Sequence, residues 1–230
     1  MTNQNLTLTK LQTLNPSLFI ESVFSPSFTN YGKILELNCS KDLISKLEKD
    51  TSIPDKGNVY IPYIREWEDS KIFNEISPHF NEDIEIGYCN GQNTELNALE
   101  WHSCNEINIY STPVVLFLAK LKNLDNNFKL DSKKVKTFYV PKNTAILLYN
   151  STLHFAPCKV EKDGFKAIII LSNLTNTELE NNKVNFTVDK KYEQFLFKNN
   201  KFIICHKDAT SLTKQSVKPN IIGTNLKLTI

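Results

Sequence analysis

Between residues 84 and 172, apolar and polar positions follow one another in short runs broken by turn-forming residues. The runs are Ile84–Cys89, Leu96–His102, Glu106–Tyr110, Val114–Lys120, Val135–Val140, Thr144–Tyr149, Leu153–Val160 and Phe165–Ser172. Asn90-Gly91, Asp125-Asn126-Asn127 and Asp163-Gly164 punctuate them, and Asp163-Gly164 between two apolar runs predicts a hairpin. So many short strands with few helical intervals predict a mainly β fold, a sandwich or a small barrel. Upstream the period is helical. Leu43, Ile44 and Leu47 predict a helix over Ser40–Asp50 with Ser40 as its N-cap. Trp67, Ile72, Phe73 and Ile76 predict a second over Trp67–Phe80, ended by Pro78. Downstream, Phe195–Cys205 reads as a β or mixed segment, followed by a polar stretch from His206 to Ser211. This tail is expected to pack back on the barrel. No repeat or linker divides the chain. The expected organisation is an α+β N-terminal extension, 1–82, packed on a β-barrel with a C-terminal tail, 83–230, as one continuous unit.

Composition narrows the function classes. The chain has 230 residues and a net charge of only +2, without the basic patch that a nucleic-acid binder carries. Arg65 is the only arginine, so at most one bidentate clamp for a carboxylate or phosphate is available. The N-terminal residues have no apolar signal core, and no run is long enough to span a bilayer. Cys39, Cys89, Cys104, Cys158 and Cys205 are dispersed and odd in number, which predicts reduced thiols and a cytoplasmic location. The expected partner is a small molecule, with neither nucleic acid nor membrane.

The chemistry concentrates in Leu96–Ile109, LNALEWHSCNEINI. Glu100 and His102 are two apart and point the same way on a strand. Glu106 shares their parity and rejoins them if the strand continues or makes a short excursion at Ser103–Asn105. Trp101, Ile107 and Ile109 fall on the opposite, apolar face. Two carboxylates inside a β-rich core repel one another and lose hydration, a difficulty that a divalent cation removes. Imidazole mixed with carboxylate suits one divalent transition metal: Zn, Mn, Fe, Co or Ni. Among the four histidines, His154 on a later strand is the best further ligand; His79 sits at a predicted helix end, and nothing in its spacing requires His206 to approach the site. Tyr88, Asn90, Asn97, Asn108, Tyr149 and His206 are candidates for the substrate pocket, and Lys142 or Arg65 for an acidic group on the substrate. Cys104 shares the ligands' parity and reads as a small buried residue.

Glu100-x-His102-x-x-x-Glu106 with a distant His154 resembles the two-part metal motif of the cupin superfamily, which usually reads His-x-His-x(3–4)-Glu and then a distant His. The resemblance implies a cupin-type β-barrel, a double-stranded β-helix or jelly roll, with a small α-containing N-terminal extension. It carries His102, Glu106 and His154 over as ligands. Glu100 stands where the first His normally does, so it carries over by position only, and Pro113 replaces a frequent Gly. Val140-Pro141-Lys142-Asn143-Thr144 resembles the turn before the second-motif strand. The stretches IGYCNGQNTELNALEWHSCNEINI, VPKNTAILLYNSTLHFAPC and KNNKFIICH, with SFTNYGKIL more weakly, resemble a bacterial family of cupin-like proteins of unknown function. A homodimer is expected by analogy with cupins that pair through barrel faces.

Such a centre can polarise a carbonyl while Glu100 or Glu106 moves a proton. The first functional expectation is a metal-dependent isomerase, epimerase or lyase on a small sugar or hydroxy/keto acid, with Glu100 and Glu106 as its catalytic carboxylates. A non-haem iron oxygenase using His102, His154 and Glu106 is the second. A non-catalytic sugar-binding module is the third.

Overall fold

Phe165, Ala167, Ile169 and Leu171 alternate along one strand with Ile168 and Ile170, and all six are buried. A strand buried on both faces needs cover on both, and the computed structural model, which describes residues 3–80, 82–179 and 190–230, shows what supplies it. Phe165–Ser172 lies inside a six-stranded sheet in the order Gly32–Leu35, Thr144–Leu148, Glu106–Tyr110, Phe165–Ser172, Ile84–Gly91, Asn58–Ile61. One face is backed by the helices Ser40–Asp50 and Ser70–Ile76, whose Leu43, Leu47, Ile72 and Ile76 pack with Trp67 on Ile107, Ile109, Ile168 and Ile170. The other face meets a second sheet built on Val114–Lys120 and Lys136–Val140. Val114, Leu116, Leu118, Phe138 and Val140 of that sheet pack against Ile146, Leu148, Phe165, Ala167 and Leu171 of the first. This sheet-on-sheet interior is the barrel core.

Two short strands, Thr152–Leu153 and Cys158–Lys159, both pair with Val114–Lys120. The single run expected over Leu153–Val160 is therefore interrupted, and His154 falls in the interruption. Asp163-Gly164 makes a turn with Gly164 at φ 116°, but no hairpin. It carries the chain from the second sheet, where Cys158 pairs with Val115, to the first, where Phe165 pairs with Gly91.

The outer face of the second sheet is covered by a third. Lys201–His206 is its centre, pairing with Leu196–Lys198, Lys218–Ile222 and, from far back in the chain, Ala98–Trp101. Trp101 stacks on Phe202 at 5.3 Å between centroids and meets Phe195 and Tyr192 at its edge. The tail thus packs back on the barrel through pairing as well as apolar contact.

The first 82 residues hold the helices already named, and also the helix Asn3–Leu14 and strands in both barrel sheets. The helix Ser40–Asp50 is capped from Cys39, without the side-chain bond expected of Ser40. The region Trp67–Phe80 holds one α-helix, Ser70–Ile76, flanked by 3-10 turns. Asp69 caps its start, and Pro78 lies in the turn that follows it. Among the described residues no helix is long and apolar enough to cross a membrane.

Candidate metal centre

The strand carrying Glu100 and the strand carrying Glu106 belong to different sheets. The chain leaves the third sheet after Trp101, makes the excursion at Ser103–Asn105, and enters the first sheet at Glu106. Trp101 consequently packs in the third-sheet cluster, while Ile107 and Ile109 face the helices; they do not share one apolar face. The three acidic and basic side chains nevertheless converge. Glu100 and His154 also pair through their backbones, with Glu100 N–H donating to His154 O at 2.6 Å and His154 N–H to Glu100 O at 3.0 Å.

One ligand atom from each of Glu100, His102, Glu106 and His154 lies within 4.8 Å of the others. Bonds of about 2.1 Å to a tetrahedral or octahedral ion need donors roughly 3–4.3 Å apart. The set is thus close to closure around one ion. His102, Glu106 and His154 are buried, and Glu100 is partly so.

The imidazoles are oriented from behind. His102 Nδ1 donates to Asn200 O at 2.9 Å, and His154 Nδ1 to Thr152 O at 3.0 Å. Held this way, each ring presents Nε2 to the site, as a lone pair whenever the ring is neutral. Both point at Glu106 Oε2, at 3.3 Å from His102 and 2.8 Å from His154, and His102 Nε2 makes no well-aligned hydrogen bond. Two lone pairs aimed at a buried carboxylate oxygen repel unless protons or a cation lie between them. Burial alone would raise the Glu106 carboxyl, but the His154 charge and hydrogen bond, with His102 beside them, hold it well below the usual range. Burial likewise opposes a charged His154, yet Glu106 lifts it to about 9. The cluster is suited to one metal ion, and the donor chemistry fits a divalent transition metal.

Glu106 Oε1 accepts from Asn108 Nδ2 at 3.0 Å. Glu100 is ion-paired with Lys201 from the tail. Asn200 Oδ1 accepts from Ser103 N–H at 2.9 Å and Ser103 Oγ–H at 2.8 Å, pinning the excursion. A cavity of about 170 Å³ opens beside the cluster, lined on its polar side by Asn58, Tyr60, Glu100, Glu106, Asn108, His154 and Lys201. Phe155, Pro157, Ile169 and Leu171 form much of the rest. Cys89 also reaches it, its thiol pushed up to about 12 by burial and then by Glu100.

Of the pocket residues expected from sequence, Asn108 lines this cavity. The others lie elsewhere. Tyr88 packs on Trp67 on the helix side, and Asn90 bonds Thr51 Oγ1 and Ser52 O there. Asn97 turns toward Asn93 and Asn225, Tyr149 packs with the helix-side cluster, and His206 bonds Gly223 O. Neither Lys142 nor Arg65 reaches the cavity, whereas Lys201 does. Asn200, Lys201 and Tyr60 escaped the sequence reading. A lysine opening the apolar run Phe202–Cys205 was the one visible signal among them. Cys104 is half-buried between Asn200 Nδ2 and Thr175 Oγ1 and stands outside the ligand set.

The facing sheets and the His/Glu cluster suited to one metal ion agree with the β-barrel and ligand set that the cupin resemblance implies. The chain belongs to the family described as Domain of unknown function (DUF4867), whose profile matches residues 20–226. No curated protein matches the sequence. Three solved structures show a distant likeness. One is the oxalate decarboxylase of Bacillus subtilis, described for its Mn(II) centres, at 13% identity and TM-score 0.33, covering 70% of this chain and 41% of that one. Another is FeII HppE, at 12% identity and TM-score 0.32, covering 68% and 62%. A third is the salicylate 1,2-dioxygenase of Pseudoaminobacter salicylatoxidans, at 8% identity and TM-score 0.30, covering 64% and 32%. The chain spans between about a third and three fifths of the length of these relatives.

Proposed function

We propose that the protein is a metal-dependent enzyme, an isomerase, epimerase or lyase acting on a small sugar or hydroxy/keto acid. The observation that carries this reading is the pair of imidazoles fixed by backbone carbonyls, with both Nε2 atoms and two carboxylates converging beside a cavity. A bound divalent ion would supply Lewis-acid polarisation of a carbonyl. Glu106, buried and held by His102, His154 and Asn108, is the fixed ligand. Glu100 is the more exposed carboxylate and lines the cavity, so its oxygen is placed to take a proton from a substrate carbon and return it to the neighbouring one. Lys201 is ion-paired with it. Elemental analysis of freshly purified protein tests the reading. About one transition-metal ion per chain is expected, and it should be lost in His102→Ala and His154→Ala while the circular-dichroism spectrum is kept. A metal-free wild type that takes up no ion on dialysis would overturn it.

One observation favours a second reading. Lys201 competes with a metal ion for the Glu100 carboxylate, and without Glu100 the set is His102, His154 and Glu106, two histidines and one carboxylate of the non-haem iron type. Turnover that requires Fe(II) and oxygen would select it, and anaerobic turnover with Mn or Zn would reject it.

A further inference from the structure

The cavity beside the cluster is poorly furnished for a polyhydroxylated molecule. A sugar of five or six carbons needs a hydrogen-bond partner for nearly every hydroxyl it buries, because an unmatched one keeps its desolvation cost. Here Phe155, Ala156, Pro157, Ile169 and Leu171 make one side apolar, and the polar groups gather at the other. Among them Lys201 and Tyr60 supply donors. Lys201 brings an ammonium that is largely buried and lies 5.6 Å from the Tyr60 ring centroid. Tyr60 accepts from Asn176 Nδ2 at 2.8 Å, which leaves its own O–H to donate elsewhere.

Charge counting points the same way. Glu100 and Glu106 contribute −2, Lys201 contributes +1, and a divalent ion adds +2. The loaded site carries a net +1 beside an apolar wall, where an uncompensated charge is costly. A monoanion entering the cavity cancels it; a neutral polyol does not. A cavity of about 170 Å³ has room for a small molecule.

We propose that the ligand of this cavity is a small monoanionic carboxylic acid, its oxygens set between Lys201 and the metal-facing side and its short carbon chain lying on Phe155, Pro157, Ile169 and Leu171. Lys201 is then the anion-binding residue. The inference rests on the metal-enzyme reading above and narrows its substrate class. It also explains why the tail strand, remote in sequence, delivers a cation to this cavity.

The test uses full-length protein loaded with Co(II), whose visible spectrum reports ligand entry, together with calorimetry. The probes are 2-oxobutyrate, a monoanion with an ethyl tail, and D-threose, a neutral polyol of similar size. 2-Oxobutyrate should perturb the Co(II) bands and bind at least about 10-fold more tightly than D-threose. Lys201→Met should weaken it by about 30-fold or more with Co(II) content unchanged, and Lys201→Arg should restore most of the affinity. Equal or tighter binding of D-threose, binding of neither probe, or an unaltered 2-oxobutyrate affinity in Lys201→Met would overturn the proposal while leaving the metal site standing. Failure to hold Co(II) at all would overturn both this proposal and the reading beneath it.

Discussion

Replacing Asn200 by alanine separates the positioning of His102 from its presence. The Asn200 side chain accepts two hydrogen bonds from Ser103, at 2.9 and 2.8 Å, and donates a longer one to Cys104 Sγ at 3.5 Å. Its backbone carbonyl, which alanine keeps, accepts from His102 Nδ1. The substitution therefore spares the second partner of the imidazole but frees the excursion that joins Glu100 to Glu106. Two good hydrogen bonds at about 0.5–1.5 kcal/mol each give a stability loss of about 1–3 kcal/mol, read from urea unfolding in the presence of chelator. Loosening of the ring should weaken metal binding by about 10–100-fold, read by competition with a chromophoric chelator. Asn200→Asp, which retains oxygens facing Ser103, should fall between wild type and alanine. A variant that loses the expected stability yet binds metal with unchanged affinity would refute the claim that pinning Ser103 holds the ligands in place.

Glu106→Gln should cost more metal affinity than Glu100→Gln, because Glu106 receives both Nε2 atoms whereas Glu100 is shared with Lys201; equal losses in a chelator titration would contradict the asymmetry. Glu85 supplies a pH test remote from the metal ligands. It is buried, one of its oxygens lacks a partner, and burial raises its carboxyl from 4.5 to about 7 against the hydrogen bonds from Asn176 and Leu174. The folded state then holds this proton more tightly than the unfolded state does. Its contribution is fully present below about pH 4.5 and is lost as pH rises through about 7. Glu85→Gln should consequently flatten the decline in melting temperature between pH 5 and 8, and an unchanged slope would count against it.

The barrel was legible in sequence where each strand carries its own alternation. Glu106–Tyr110, Val114–Lys120 and Phe165–Ser172 have the expected bounds because their apolar residues face packed layers on both sides or alternate with site residues. The helix Ser40–Asp50 was legible for the matching reason, its Leu43 and Leu47 lying on one buried stripe. Asn3–Leu14, NQNLTLTKLQTL, was not, since threonine and asparagine are weak helix formers and its apolar positions make no clear stripe. The metal quartet could be read from residue type and spacing, as chemistry that makes no sense unpaired. Asn200 and Lys201 could not, because they reach the site through pairing of Lys201–His206 with Ala98–Trp101, about a hundred residues apart, and no local pattern records such a partner. Tyr88 and Asn90 show the converse limit: residue type suggested a pocket, but the parity of Ile84–Gly91 puts them on the helix side.

The dependence of the centre on that late strand has a consequence during synthesis. Asn200 and Lys201 leave the ribosome almost fifty residues after His154. At about 5–20 residues per second this leaves roughly two to ten seconds in which the four donor residues exist without the carbonyl that orients His102 or the ammonium that balances Glu100. A nascent chain in that interval offers metal ions a looser and more negative cluster than the chain does once Lys201–His206 has paired with Ala98–Trp101.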